Sequence, residues 1–166
     1  RCVFEYSLDN FLNDLKSTQT KLLFYKMSYN LKRFHEAQEH SYNRALSEMK
    51  KGRKTSCWMW YIFPQIDGLG HSMTTEEYSI KSLDEAKAYL QDEILGSRLV
   101  EISNALLENS DSDPRAVMGY PDDLKLRSCM TLFKAAAGGD ENYSVFQKVL
   151  DKYFKGEDDQ KTLDKI

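Results

Sequence analysis

Gly52-Arg53-Lys54-Thr55-Ser56 sets two cations and two hydroxyls directly before an aromatic run, Cys57-Trp58-Met59-Trp60-Tyr61-Ile62-Phe63, which Pro64 and Gln65 close. That mixture suits an anionic, planar ligand. Arg and Lys offer charge-assisted donors to a phosphate or carboxylate, and an indole offers a flat surface for stacking. Arg53 or Lys54 would hold the anionic end and Trp58 or Trp60 would form a wall. Gln65 would read polar edges, because its amide both donates and accepts. If the run is extended, alternate side chains point opposite ways, so one indole lines a pocket while the other packs. The plainer alternative is that Arg53 and Lys54 solvate a loop end while both indoles build the core, the commonest use of so large an apolar side chain.

Pro121-Asp-Asp-Leu-Lys-Leu-Arg-Ser-Cys-Met-Thr-Leu-Phe133 is the second dense polar set. Lys125 would add charge and Ser128 a hydroxyl. Asp123 is the candidate general base, or the partner of a ribose-type diol. Leu124, Ser128 and Thr131 share one helical face, and hydroxyls on such a face need a partner or a ligand. Asp123 and Arg127 are spaced to pair along the helix, and Asp122 is placed to satisfy free N–H groups at its start.

Other chemical readings fail on spacing. His35-Glu-Ala-Gln-Glu-His40 resembles a metalloprotease motif, but its histidines are five apart, roughly 140° around a helix at about 100° per residue. They cannot share a zinc ion as an i, i+4 pair does, and no metal is expected. Cys57 and His71 would need a third, orienting residue to act as a thiol–imidazole pair, and none is evident. Gly68-Leu69-Gly70 lacks the third glycine of a dinucleotide loop, so no cofactor is expected either.

The elements that position these residues read as short helices. Leu8, Phe11, Leu12 and Leu15 recur at helical spacing. Asn30 is placed to cap a helix through Phe34 that runs through or breaks near Ser41 and stops at Gly52. Periodicity alone leaves Trp58–Phe63 open between a strand and a buried helical turn. Thr74 or Thr75 would cap the next turn, and Ser82-Leu-Asp-Glu85 has the form of a capping box. Leu95, Leu99, Ile102 and Leu106 make an apolar stripe. Asp113-Pro114 caps one helix, Pro121-Asp122 opens another that ends at Gly138-Gly139, a further helix stops at Gly156, and Asp159 is placed to cap a last one. Seven to nine short helices in a single all-α domain are expected from about residue 30, with residues 1–29 as an N-terminal extension, helical.

The 166 residues are enough for one domain with a real core, and 23 Lys+Arg against 26 Asp+Glu give a net charge of −3. A nucleic-acid partner is disfavoured, since its footprint is an excess of basic residues. The longest apolar stretch, Trp58–Phe63, is about a third of the ~18 residues that suggest a membrane span. Cys2, Cys57 and Cys129 are an odd, unpaired set. They point to a reducing compartment and hence to the cytoplasm.

The two dense segments, together with Leu31-Lys-Arg-Phe-His-Glu-Ala-Gln38 and Ser82-Leu-Asp-Glu-Ala-Lys-Ala-Tyr-Leu90, resemble the bacterial domain-of-unknown-function family 1810 over about residues 30–166. The Trp-Met-Trp-x-Ile-Phe-Pro-Gln signature carries most of that resemblance. It implies a small, mostly helical domain and brings no established reaction. The name calpastatin sometimes attached to that family finds no inhibitor-like repeat here. The family's pattern has His just before the first Trp, where this chain has Cys57, so no imidazole is available at that point. A second similarity, carried by Glu76-Glu77-Tyr78 and Asp123-x-Lys125, is to the NADAR family of mostly helical proteins, and implies ADP-ribose or N-glycosidic bond chemistry.

Two functional classes follow. In one, a pocket between the Arg53–Gln65 segment and the Asp122–Thr131 helix binds a small anionic, nucleotide-like ligand, with or without hydrolysing it. In the other, the aromatics are wholly structural and the domain is a protein–protein interaction module that meets partners through charged helix faces.

Overall fold

The computed structural model describes residues 29–166, together with Lys16. The chain divides into two units, Arg1–Asn30 and Leu31–Ile166. The helix expected over Leu8–Leu15 lies outside the described residues. The second unit is all-α. It holds ten α-helices: α1 Lys32–Glu39, α2 Tyr42–Lys50, α3 Met59–Ile62, α4 Met73–Tyr78, α5 Leu83–Gln91, α6 Leu95–Glu108, α7 Pro114–Met118, α8 Asp122–Ala137, α9 Val145–Phe154 and α10 Gln160–Leu163, with one 3-10 turn at Glu141–Tyr143. That exceeds the seven to nine expected, because the aromatic run, left open between strand and helix, is the single turn α3.

Local chemistry sets most boundaries. The Ser82 hydroxyl accepts from the Glu85 N–H at 3.1 Å, and the Glu85 carboxylate reaches back to the Lys81 N–H at 2.7 Å, one residue earlier than a standard capping box. Asp113 accepts from the Arg115 N–H at 2.9 Å, with Pro114 in the first helical position. Gly138, at φ 60°, closes α8 in the left-handed conformation that L side chains adopt only with strain. The chain does break at Ser41, between α1 and α2. Two caps differ from expectation. Leu31 rather than Asn30 holds the N-cap of α1, with no side-chain hydrogen bond. Ser72 rather than Thr74 or Thr75 caps α4, accepting from the Thr75 N–H at 3.2 Å.

α8 is the central helix and packs against α5, α7, α9 and α10, while α6 packs against α2, α5 and α9. Leu126, Cys129, Met130, Leu132 and Phe133 of α8 are fully buried, each apolar side chain worth about 1.5–3 kcal/mol. Phe133 lies between Tyr89 of α5 (ring centroids 5.1 Å apart) and Phe146 of α9 (6.0 Å). Burial also pushes the Cys129 thiol well above its ordinary pKa, which makes it packing material rather than a nucleophile. No helix among the described residues is long and apolar enough to cross a membrane.

Gly96 shows how close this packing is. A Cβ there would stand 2.1 Å from the backbone oxygen of Leu90, so α6 must move off the end of α5 to admit one. Gly96→Ala is therefore expected to destabilise by about 2 kcal/mol, although alanine is the better helix former. A urea melt decides it, and an unchanged or raised midpoint would show that the two helices are not held this tightly.

Candidate functional site

The site is built on one buried carboxylate. Glu48, near the end of α2, is 8% exposed. It accepts from the backbone N–H of Thr55 (2.8 Å) and of Ser56 (3.2 Å), from the Ser56 hydroxyl, and from the indole N–H of Trp58 (2.8 Å). Burial alone would raise its pKa, but the hydrogen bonds from Ser56, Thr55 and Trp58 outweigh that and hold it at about 2. Glu48 thus folds the Arg53–Trp58 loop back onto α2 and fixes one indole in the core.

Above it lies a charged relay between two indoles. Lys54 Nζ is 2.8 Å from Asp122 Oδ2, and Lys125 Nζ is 2.9 Å from Asp122 Oδ1. Lys54 Nζ stands 5.1 Å from the Trp58 ring centre and Lys125 Nζ 5.1 Å from that of Trp60, within range of a cation–π contact. Desolvation works against the Asp122 carboxylate, yet the two ammonium groups win and lower its pKa. Asp122 does not cap α8, whose N-cap is Pro121 without a side-chain hydrogen bond. It ties the loop to the helix instead.

Next to this relay a cavity of about 430 Å³ opens between the segment after α3 and the first half of α8. Gln65, Leu69, Gly70 and Thr75 line one side, Pro121, Leu124, Lys125, Arg127 and Ser128 of the α8 region a second, and Asp159 and Lys161 a third. The Gln65 backbone is pinned by a parallel bridge between Ile66 and Ile80, in which the Ile80 N–H donates to the Gln65 carbonyl at 2.8 Å. Three of the lining side chains are cationic and one is anionic, in a chain whose net charge is −3.

Several lining groups keep unspent hydrogen-bonding capacity. Arg127 donates through Nε to the Glu157 carbonyl (3.1 Å) and through Nη2 to Glu157 Oε2 (3.0 Å) and the Asp158 carbonyl (2.8 Å). That leaves the two N–H groups of Nη1. Lys161 is exposed and Gln65 half-buried, and neither side chain has a partner among the described residues. Ser128, by contrast, is spent. Its hydroxyl lies 3.0 Å from Asp159 Oδ2 and 3.2 Å from the Leu124 carbonyl, and Thr131 accepts from the Asp159 N–H at 2.9 Å. The hydroxyls on this face of α8 thus find their partner in the cap of α10.

Of the residues singled out in the sequence, the structure gathers Gln65, Lys125 and Ser128 around this cavity. Trp60 is half-buried behind Lys125. Arg53, Lys54 and Trp58 are not cavity residues: Arg53 is exposed beyond the loop, Lys54 is taken up by Asp122, and Trp58 is 1% exposed in the core. Asp123 does not line the cavity either. Its side chain turns toward α7, with Oδ2 3.6 Å from Arg115 Nε and Oδ1 buried without a hydrogen bond. Arg127 pairs with Glu157, not with Asp123. Cys57 and His71 are both exposed, and no group of three His, Cys, Asp or Glu among the described residues is arranged to hold a metal ion. Glu76 and Glu77, offered with Asp123 for the second family resemblance, are exposed and do not line the cavity.

Residues that sequence reasoning missed are Asp122 as the tie, and Arg127, Asp159 and Lys161 as lining. Arg127 and Asp122 stood inside the segment already marked. Asp159 and Lys161 lie more than twenty-five residues beyond its end at Phe133, and no spacing rule connects them to it.

A family model described as protein of unknown function (DUF1810) matches residues 28–166. Among solved structures, the chain is similar to the crystal structure of the conserved hypothetical protein Rv1873 from Mycobacterium tuberculosis. The two are 41% identical with a TM-score of 0.79, over 82% of this chain and 96% of that one. No curated protein matches the chain.

Proposed function

The chain belongs to the DUF1810 family, and for this member we propose a function: it binds a small anionic, nucleotide-like molecule in the cavity between Gln65 and the first half of α8. One observation carries the reading. In an acidic chain, one cavity is lined by three cations against a single carboxylate, and two of those cations, Arg127 and Lys161, keep free donors. The phosphate or carboxylate end goes to Arg127 Nη1 and Lys161, with Lys125 behind them. A flat apolar body rests on Leu69, Pro121 and Leu124, where its polar edge meets the Gln65 amide. The size falls within the range of ordinary small-molecule sites. With Asp123 outside the cavity, the reading is of binding and not of hydrolysis.

Thermal unfolding with inorganic phosphate, pyrophosphate and nucleoside phosphates tests it. A ligand at 100 times its dissociation constant adds about 2.7 kcal/mol to stability. Lys161→Ala is expected to shrink that shift while leaving the unliganded melting temperature nearly unchanged, because Lys161 has no partner among the described residues to lose. A flat response to every anion in the panel overturns the proposal and leaves the interaction module, whose partners meet charged helix faces.

A further inference from the structure

Asp159 is the cavity's one carboxylate, and only half of it is used. Its Oδ2 receives three donors: the Thr162 N–H (3.0 Å), the Thr162 hydroxyl (2.7 Å) and the Ser128 hydroxyl (3.0 Å). The Asp159 N–H is fixed on Thr131 at 2.9 Å. The group is therefore rigidly held, and Oδ1 makes no hydrogen bond among the described residues. A carboxylate facing a site that gathers cations for an anion is a cost to that anion. It becomes useful when the same ligand carries hydroxyl or amino hydrogens, since an ionised carboxylate accepts and never donates.

We infer that Asp159 selects within the class of anions, and that the cavity takes hydroxylated phosphate esters, a sugar phosphate or the sugar-phosphate part of a nucleotide, in preference to phosphates without a hydroxyl beside them. The phosphate meets Arg127 Nη1 and Lys161, a sugar hydroxyl donates to Asp159 Oδ1, and the Gln65 amide is free for a second hydroxyl or a base edge. The less polar face of the sugar lies against Leu69 and Leu124. This inference rests on the anion-binding reading above and adds to it the group that discriminates.

The experiment compares ribose 5-phosphate, butyl phosphate and inorganic phosphate by calorimetric titration of the full chain. All three are expected to bind, with ribose 5-phosphate about tenfold tighter than butyl phosphate, the scale of one charged hydrogen bond. Asp159→Asn keeps a good N-cap residue, with its amide oxygen taking the Oδ2 bonds and its NH2 turned to the cavity. In that variant, affinity for inorganic phosphate is expected to rise, because a repelling charge has gone, while the preference for ribose 5-phosphate over butyl phosphate disappears. A purely structural role for Asp159 would move all three ligands in one direction. Equal binding of ribose 5-phosphate and butyl phosphate to the wild-type chain overturns this inference and leaves anion binding standing. Absence of binding by all three overturns both.

Discussion

Glu48→Gln is expected to lose about 3 kcal/mol of stability at neutral pH and, with it, the Glu48 share of the protein's sensitivity to acid between about pH 4.5 and pH 2. The first effect follows from counting donors. Four N–H or O–H groups converge on the carboxylate, from Thr55, Ser56 (twice) and Trp58. A carboxamide offers one oxygen and turns an NH2 toward donors that have nowhere else to go in a buried site. The second effect is linkage. Glu48 is held at about 2 in the folded protein, against its ordinary 4.5. A carboxylate whose folded pKa is lowered contributes stability that is complete above the ordinary value and is lost as pH falls through the folded one. At about 1.4 kcal/mol per unit, a gap of this size is worth about 3 kcal/mol. Urea melts of wild type and Glu48→Gln across that range give both numbers. Acid profiles that run parallel would show that the Glu48 charge is not what holds the loop.

The fold was legible because its signals are local. Ser82, Asp113-Pro114, Gly138 and Asp159 each set a helix end through groups within three residues of themselves, and the leucine stripe of α6 is a property of that segment alone. The misses have the same origin in reverse. The N-cap position of α1 falls on Leu31, whose side chain cannot accept a hydrogen bond, so the polar Asn30 beside it points one residue too early. At α4 three hydroxyl residues, Ser72, Thr74 and Thr75, compete within four positions, and backbone geometry, not residue type, selects Ser72. The aromatic run was undecided because a single turn of helix is too short to show a period.

The site was only half legible, since it is a matter of which distant segments meet. The loop before Trp58 and the start of α8 stand out in the sequence as two dense polar segments, but their cations divide by burial. Lys54 is consumed by Asp122, whereas Lys125 shares that carboxylate and still lines the cavity. No residue type distinguishes the two lysines; their depth does. Asp159 and Lys161 enter only because α10 packs on α8, a contact fixed by Ser128 and Thr131. The rule that hydroxyls on an apolar face need a partner located that contact without naming it.

Replacing Trp58 by alanine is expected to cost about 3–5 kcal/mol, a large share of the roughly 5–15 kcal/mol that holds an ordinary domain folded, whereas Trp60→Ala should cost about 1 kcal/mol. The two indoles are two residues apart and opposite in role. Trp58 is 1% exposed, packs against Phe63 with ring centres 6.1 Å apart, and donates its N–H to Glu48. Its removal leaves a large cavity, takes a donor from a buried carboxylate and uncovers the Lys54 ammonium. Trp60 is half-buried, and the Lys125 ammonium stands 5.1 Å from its ring centre. Losing that ring removes one of two groups that hold the Lys125 ammonium, Asp122 Oδ1 at 2.9 Å being the other, so anion affinity should fall severalfold in a protein that still unfolds cooperatively. Trp58→Phe separates packing from hydrogen bonding: it refills most of the space but not the donor, and should lose about 1–3 kcal/mol. Chemical denaturation of the three variants, with phosphate titration of those that fold, reads the asymmetry directly. Equal losses of stability from Trp58→Ala and Trp60→Ala, with phosphate affinity untouched in Trp60→Ala, would show that Trp60 does not position Lys125 for binding.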